Sequence, residues 1–390
     1  MRPPLLHASL LALPAFAPPL LISPLVEAYQ LSAGQPESTT LPLLFSLLLA
    51  KRLALYAIAT SALGLAAWRS TDASSPLGRR LDDATREALW PIALPPRDPS
   101  SPRANALTAL DGVSPAQQAA GLPLAAAALL LASVVAGGAA GGGVPPPAAL
   151  PLAAAWSGGV CCLLVNGELQ QIARRGGPPA RTAASYAALA AALAATAAAY
   201  ALHGEAAVPW RNLVNICVAV GVSRVIQLRS FAAAAAAAAG LALYDGLATA
   251  AAAPAAALDA PPPGALADGS LMERVASARV AADFQPGLLV VAVGGRVTDA
   301  LGLGDVVFPS LLAGWARRLD ASAHAADGYF GAALRGYVAG CVLLEVTPVE
   351  LTKAALLFFM PSMLASILLH ATSRGELEYL IGDGDARPPS

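Results

Sequence analysis

The chain is poor in charge: of 390 residues only 13% are Asp, Glu, Lys or Arg, and 5% are aromatic. A soluble domain of this length needs more charge than that to cover its surface. The formal net charge is −1, so no basic field argues for nucleic acid as a partner. Cysteine is scarce as well. Cys161, Cys162, Cys217 and Cys341 lie in apolar runs without C-x-x-C spacing, which points to buried thiols and gives no zinc site or disulfide framework. His7, His203, His324 and His370 are scattered, and no H-E-x-x-H, G-x-S-x-G or Walker loop occurs. Metalloprotease, serine-hydrolase and nucleotide-driven chemistries therefore lack their residues, and neither a metal nor a cofactor is expected.

What the chain has is hydrophobicity: 56% of residues are apolar and the mean hydropathy is +0.60. Apolar stretches near 20 residues read as membrane-spanning helices. They fall at 42–67, 122–141, 148–167, 183–202, 212–228, 231–251, 297–316, 329–349 and 354–372. The fold class expected is all-α, a polytopic membrane bundle of about nine helices. Residues 1–28 start with Arg2 and are broken by Pro14, Pro18, Pro19 and Pro24, the pattern of a signal peptide, with an extra apolar helix as the alternative. Residues 68–120 and 252–285 read as loops, both interrupted by prolines. The second, fourth and sixth spans are rich in alanine, which either permits close helix approach or reflects compositional drift.

Arginine is unevenly shared between the loops. Arg69, Arg79, Arg80, Arg86, Arg97 and Arg103 follow the first span, Arg174, Arg175 and Arg181 the third, Arg229 the fifth, and Arg317 and Arg318 the seventh. The short alternate loops hold only Arg211 and Lys353. By the positive-inside rule the N-terminus lies outside the cytosol and the C-terminus inside. The domain organisation expected is an N-terminal group of helices over 42–202 with 68–120 cytosolic, a second group over 205–372, and a cytosolic tail, 373–390.

Two aspartates interrupt this pattern. Asp245 ends Leu241-Ala242-Leu243-Tyr244-Asp245, and Asp305 ends Leu301-Gly302-Leu303-Gly304-Asp305. A carboxylate at membrane depth costs at least about 2.5 kcal/mol, so it usually marks a site or a pathway. With a rise of about 1.5 Å per residue, Asp245 lies roughly 24 Å beyond Arg229, and Asp305 about 12 Å inside the seventh span. Both then fall in the outer half of a core about 30 Å thick. Two carboxylates facing each other in low dielectric cannot both ionise and so share a proton. One can activate a water while the other, protonated, polarises a carbonyl, and spacing does not say which does which. Gly302 and Gly304 would let a substrate strand or a helix approach Asp305.

Blander readings apply to single residues. A lone intramembrane Asp often serves a proton or ion pathway, and G-x-G-D alone is weak, because glycine pairs are common at helix contacts. Asp299 is expected to be solvated at the outer end of the seventh span. Glu345 and Arg335 are expected near the outer and cytosolic ends of the eighth, and Tyr244 either packs or hydrogen-bonds within the site.

The combination of Tyr244-Asp245 with Gly302-Leu303-Gly304-Asp305 resembles the intramembrane aspartyl proteases, the signal peptide peptidases and, more distantly, presenilin. The likeness extends to Asn212–Leu228, to Ser270-Leu271-Met272-Glu273-Arg274-Val275-Ala276, to Leu301–Asp320 with Pro309, to Tyr329–Val346, and to Gly375-Glu376-Leu377. It covers about 205–380, while the first 200 residues match in hydropathy only. The resemblance implies a nine-helix protease with Asp245 and Asp305 as the catalytic pair and type II oriented helices or signal-peptide remnants as substrates. It also implies a place in the endoplasmic reticulum or the Golgi and endosomal membranes, and leaves a homo-oligomer open.

One motif departs. The family's Q-P-A-L before the last helix stands here as Lys353-Ala354-Ala355-Leu356. Losing the proline frees φ and restores an N–H. A weakly active or inactive homologue that binds membrane helices is the alternative reading, and a proton-coupled carrier a more distant one.

Overall fold

The computed structural model describes residues 37–74, 121, 149–173, 177–226, 228, 230–250, 287–293, 296–322, 328–347 and 354–381. Their elements are α1 (Glu37–Ser74), α2 (Ala149–Ala173), α3 (Gly177–Ala201), a short 3-10 turn (Gly204–Ala206), α4 (Val208–Val225) and α5 (Phe231–Ala250). After these come the strands β1 (Leu288–Val293) and β2 (Arg296–Gly302), then α6 (Gly304–Ser322), α7 (Tyr329–Val346), α8 (Leu356–Arg374) and α9 (Leu377–Ile381). Among the described residues, five helical segments are long and apolar enough to cross a bilayer: Leu49–Ala67, Pro179–Ala201, Gly204–Ser223, Tyr329–Val346 and Leu356–Arg374. The chain is a helical membrane protein. The expected second span, the leader 1–28 and the segment Ser270–Ala276 lie outside the described residues, so the count of nine stays an expectation.

The C-terminal half is built round α6, which packs on α1, α4, α5, α7 and α8. Small residues set the closest approach. Gly336 and Gly340 on α7 face α8, and a Cβ at Gly336 would lie 2.5 Å from the Cα of Met363. This G-x-x-x-G spacing brings two backbones together where lipid supplies no hydrophobic drive to do so. Ser366 adds a hydrogen bond of 2.7 Å to the carbonyl of Ala332 across the same interface. At the cytosolic side expected for α6, the Asp320 carboxylate accepts the N–H groups of Gly328, Tyr329 and Phe330, capping α7. The Gly375-Glu376-Leu377 motif ends α8: Gly375 adopts φ 69°, and Glu376 accepts the Tyr329 hydroxyl at 2.6 Å.

Three expectations need correction. The bundle is not purely α-helical, because β1 and β2 form an antiparallel hairpin with Leu288 opposite Gly302 and a bulge between Val291 and Ala292. The helix expected as the seventh span consequently starts at Gly304 and not at 297, since residues 296–302 hydrogen-bond to β1. Asp299 is correspondingly no solvated helix end. It lies on β2, half-buried, 3.1 Å from Arg52 of α1. Glu345 is exposed near the C-terminal end of α7, and there it accepts the Tyr56 hydroxyl and lies 3.8 Å from Arg52. One arginine thus ties α1 to both the hairpin and α7.

Candidate active site

Asp305 is the second residue of α6, not two turns inside a span. The element before it is the hairpin, and the strand delivers Gly302 against the aspartate's own side chain. Gly302 makes a backbone hydrogen bond to Asp305, and a Cβ at Gly302 would lie 3.1 Å from Oδ2. The glycine therefore makes room for the carboxylate itself, where the sequence suggested room for another chain. Leu303 links the two elements: its N–H donates to Gly287 at 2.8 Å, and its carbonyl accepts Val307 N–H at 2.8 Å. Gly304 opens the helix with Phe308 close by, 3.4 Å from where a Cβ would stand.

Pro309 sits one turn further on, within α6. Having no N–H, it leaves the carbonyl of Asp305 without its usual partner. The hydroxyl of Tyr337, a fully buried residue of α7, donates to that carbonyl at 3.3 Å. Leaving a buried carbonyl unpaired costs about 1–3 kcal/mol, so this hydrogen bond offsets what Pro309 removes from the first turn of α6.

Asp245 lies near the end of α5 and is 3% exposed. Its Oδ2 accepts the backbone N–H of Leu356, the first residue of α8, at 2.8 Å. Ala355, the residue before that helix, offers no side-chain cap, so the carboxylate of another helix takes that role. Gly246 permits the approach, since a Cβ there would meet Leu357 at 3.2 Å. Ala354, Ala355 and Leu356 are all buried. The Ala354 carbonyl accepts Leu357 N–H at 3.2 Å, and that of Ala355 accepts Phe359 N–H at 3.0 Å. Lys353 lies outside the described residues. Tyr244 is half-buried against the hydrophobic core, beside Asp245.

The two carboxylates lie within electrostatic reach of one another. Four elements thus converge: α5 and α6 bring the acids, the hairpin end supports one, and the start of α8 supports the other. The sequence reading did not single out Tyr337, Asn212 or Asn215. Pro309 was the available signal for Tyr337, because a proline inside a helix implies that some other donor serves the freed carbonyl.

Comparison with known proteins places the chain in a family. The profile of the family described as signal peptide peptidase (Peptidase_A22B) matches residues 168–386, more than half of the chain. A relative from Oryza sativa subsp. japonica, described as "Signal peptide peptidase-like 3", is 35% identical over 86 residues, or 21% of this chain and 16% of that protein. The similarity to that relative thus spans about one sixth of its length. No solved structure matches the chain.

Proposed function

Because the chain belongs to the signal peptide peptidase family, we propose that it is an intramembrane-cleaving aspartyl endopeptidase with Asp245 and Asp305 as its catalytic pair. What supports this reading most is that the two carboxylates lie within electrostatic reach of one another, one of them hydrogen-bonded by the N–H that opens α8. Each carboxylate has an N–H donor beside a helix N-terminus, Leu356 for Asp245 and Gly302 for Asp305, so the two stand alike and share one proton. The ionised member takes a proton from a water that adds to the carbonyl carbon of the scissile bond, while the protonated member donates to the carbonyl oxygen. As the tetrahedral species collapses the C–N bond breaks, the leaving nitrogen takes up the proton that the first carboxylate received, and a hydroxyl of the tetrahedral carbon returns its proton to the second.

The substrates in this reading are type II oriented membrane helices or signal-peptide remnants, met within the lipid bilayer. A helical peptide bond is shielded by its own turn, so the substrate must unwind locally before water reaches it. The β2 edge, which runs directly into Gly302 and Asp305, suits an extended segment. The protein is an integral membrane protein. The arginine distribution supports a lumenal N-terminus and a cytosolic C-terminus in the endomembrane system, with residues 42–202 as a supporting group and 205–372 as the catalytic group.

One observation favours a second reading. Ala354 stands where the family has proline, and a loosely held α8 start would give a homologue that binds membrane helices with little or no cleavage. Purified protein incubated with a helical type II substrate separates the two. Cleavage is expected, blocked by an aspartyl transition-state analogue and abolished by Asp245→Ala or Asp305→Ala, with the double variant no worse than either single one. Either single variant turning over normally would rule out aspartyl catalysis.

A further inference from the structure

β1 has two edges, and β2 occupies only one. Along the other, α4 presents Asn212 and Asn215, three residues apart and so on one helix face. Asn212 donates from Nδ2 to the carbonyl of Val290 at 2.9 Å and accepts the N–H of the same residue at 2.9 Å. Asn215 donates to the carbonyl of Leu288 at 2.7 Å and accepts the N–H of Gly287 at 3.1 Å. Both are buried, at 1% and 5% exposure. A primary amide carries a donor and an acceptor in one plane, as a peptide group does. The two side chains therefore serve β1 as a neighbouring strand would, and four backbone groups, three of them buried, are satisfied without one.

The strand end held in this way is the one that meets the candidate dyad. Leu288 pairs with Gly302, and the Gly287 carbonyl accepts Leu303 N–H at 2.8 Å. Gly302 in turn bonds to Asp305 and stands against its Oδ2. Three hydrogen bonds, joined by the Gly302–Leu303 peptide link, thus run from the amide of Asn215, through the hairpin end, to the carboxylate. From α4 to α6 no step relies on loose packing.

Resting on the protease reading above, we infer that Asn212 and Asn215 are positioning residues, which hold the hairpin against α4 in the register that sets Asp305. Neither touches the reacting atoms. Asn215 acts one strand pair from Gly302 and Asn212 two residues further along β1, so their effects are graded by distance. Reacting geometry tolerates little displacement, and a shift near 1 Å can cost roughly a hundredfold in rate.

The test compares Asn215→Ala, Asn212→Ala and the unsubstituted chain in detergent, with Ser366→Ala as a variant that also loses a side-chain hydrogen bond between elements, away from the hairpin. Turnover is divided by the fraction labelled with a photoreactive transition-state analogue, which removes any loss of folded protein. The bonds cut are identified by mass spectrometry, and amide hydrogen exchange is followed at Gly287 and Val290. Asn215→Ala is expected to lower normalised turnover roughly tenfold, spread cleavage over neighbouring bonds and speed exchange at both amides, with Asn212→Ala smaller in each. Ser366→Ala should change yield alone. If Asn215→Ala fails to accumulate, Asn212→Ala carries the comparison. Unchanged normalised turnover and an unchanged cleavage pattern, in a chain that does cleave, overturn this inference alone. A chain that cleaves nothing overturns the protease reading, and this inference with it.

Discussion

The backbone N–H of Leu356 donates to the carboxylate of Asp245 at 2.8 Å, across 111 residues of chain. The last residue of the Lys353-Ala354-Ala355-Leu356 motif is thus recruited through its main chain, and its side chain serves the core. Replacing the Leu356 amide by an ester, through incorporation of the α-hydroxy acid, removes this one donor and little else. A hydrogen bond to a charged group contributes about 1.5–3 kcal/mol, so kcat/KM should fall roughly ten- to hundredfold. An unaltered rate would show that the contact does not support the reacting carboxylate.

Proline at position 354 tests the departure from the family motif. Where its φ is compatible, proline removes about 0.4–1 kcal/mol of flexible-state entropy. Each 1.4 kcal/mol is about tenfold in rate, so Lys353→Gln with Ala354→Pro should accelerate cleavage roughly two- to fivefold. Initial rates on one helical substrate decide it. If the double variant leaves an inactive chain inactive, the helix-binding homologue becomes the better reading.

Tyr337→Phe keeps the ring, which lies 4.8 Å from that of Phe359, and deletes the hydroxyl that serves the Asp305 carbonyl. Leaving that buried carbonyl unpaired should cost about 1–3 kcal/mol. Because the strain falls at the first turn of α6, kcat should drop more than KM rises. Pro309→Ala supplies an N–H for the same carbonyl and should partly restore Tyr337→Phe. An additive loss in the double variant would separate the two residues.

Gly336→Ala places a methyl group 2.5 Å from the Cα of Met363, a backbone atom that cannot rotate away. Overpacking of this kind costs about 1–3 kcal/mol. Gly331→Ala, whose methyl would have Arg335 Nη1 as its nearest neighbour at 3.5 Å, should be neutral or slightly stabilising. Thermal unfolding in micelles should rank the two variants in that order, and equal midpoints would refute the G-x-x-x-G account of the α7–α8 contact.

Asp299 offers a pH test outside the spans. Burial pushes its carboxyl above the ordinary carboxylate range, Arg52 and Lys51 pull it back, and Glu345 adds to the rise. The folded state then holds the proton more tightly than the unfolded one. The stability this supplies is complete below the unfolded value and is lost as pH rises through the folded one. Asp299→Asn has no such dependence. Unfolding midpoints of parent and variant should therefore differ most in the parent's favour at low pH, the gap closing as pH rises through the raised folded-state value. A gap that widens with pH would mean that the Arg52 pairing outweighs the burial.

Much of this protein was legible in its residues. Runs of apolar side chains near 20 residues read as spans, because in lipid a helix satisfies its own backbone, and an aspartate among them is conspicuous for its cost. Composition alone therefore separated a helical membrane protein from a soluble one, and two aspartates with their neighbours identified the candidate site. The hairpin was not legible. Leu288–Val293 lay between an expected loop and an expected span, and hydropathy does not distinguish a buried strand from a helix end. The pair Gly294-Gly295 between two β-branched runs was the one local signal. The pairing of Asn212 and Asn215 with β1, of Tyr337 with Asp305 and of Leu356 with Asp245 was decided by tertiary structure. Each joins groups 32 to 111 residues apart through directional hydrogen bonds, whose partners depend on which elements become neighbours and not on any spacing along the chain.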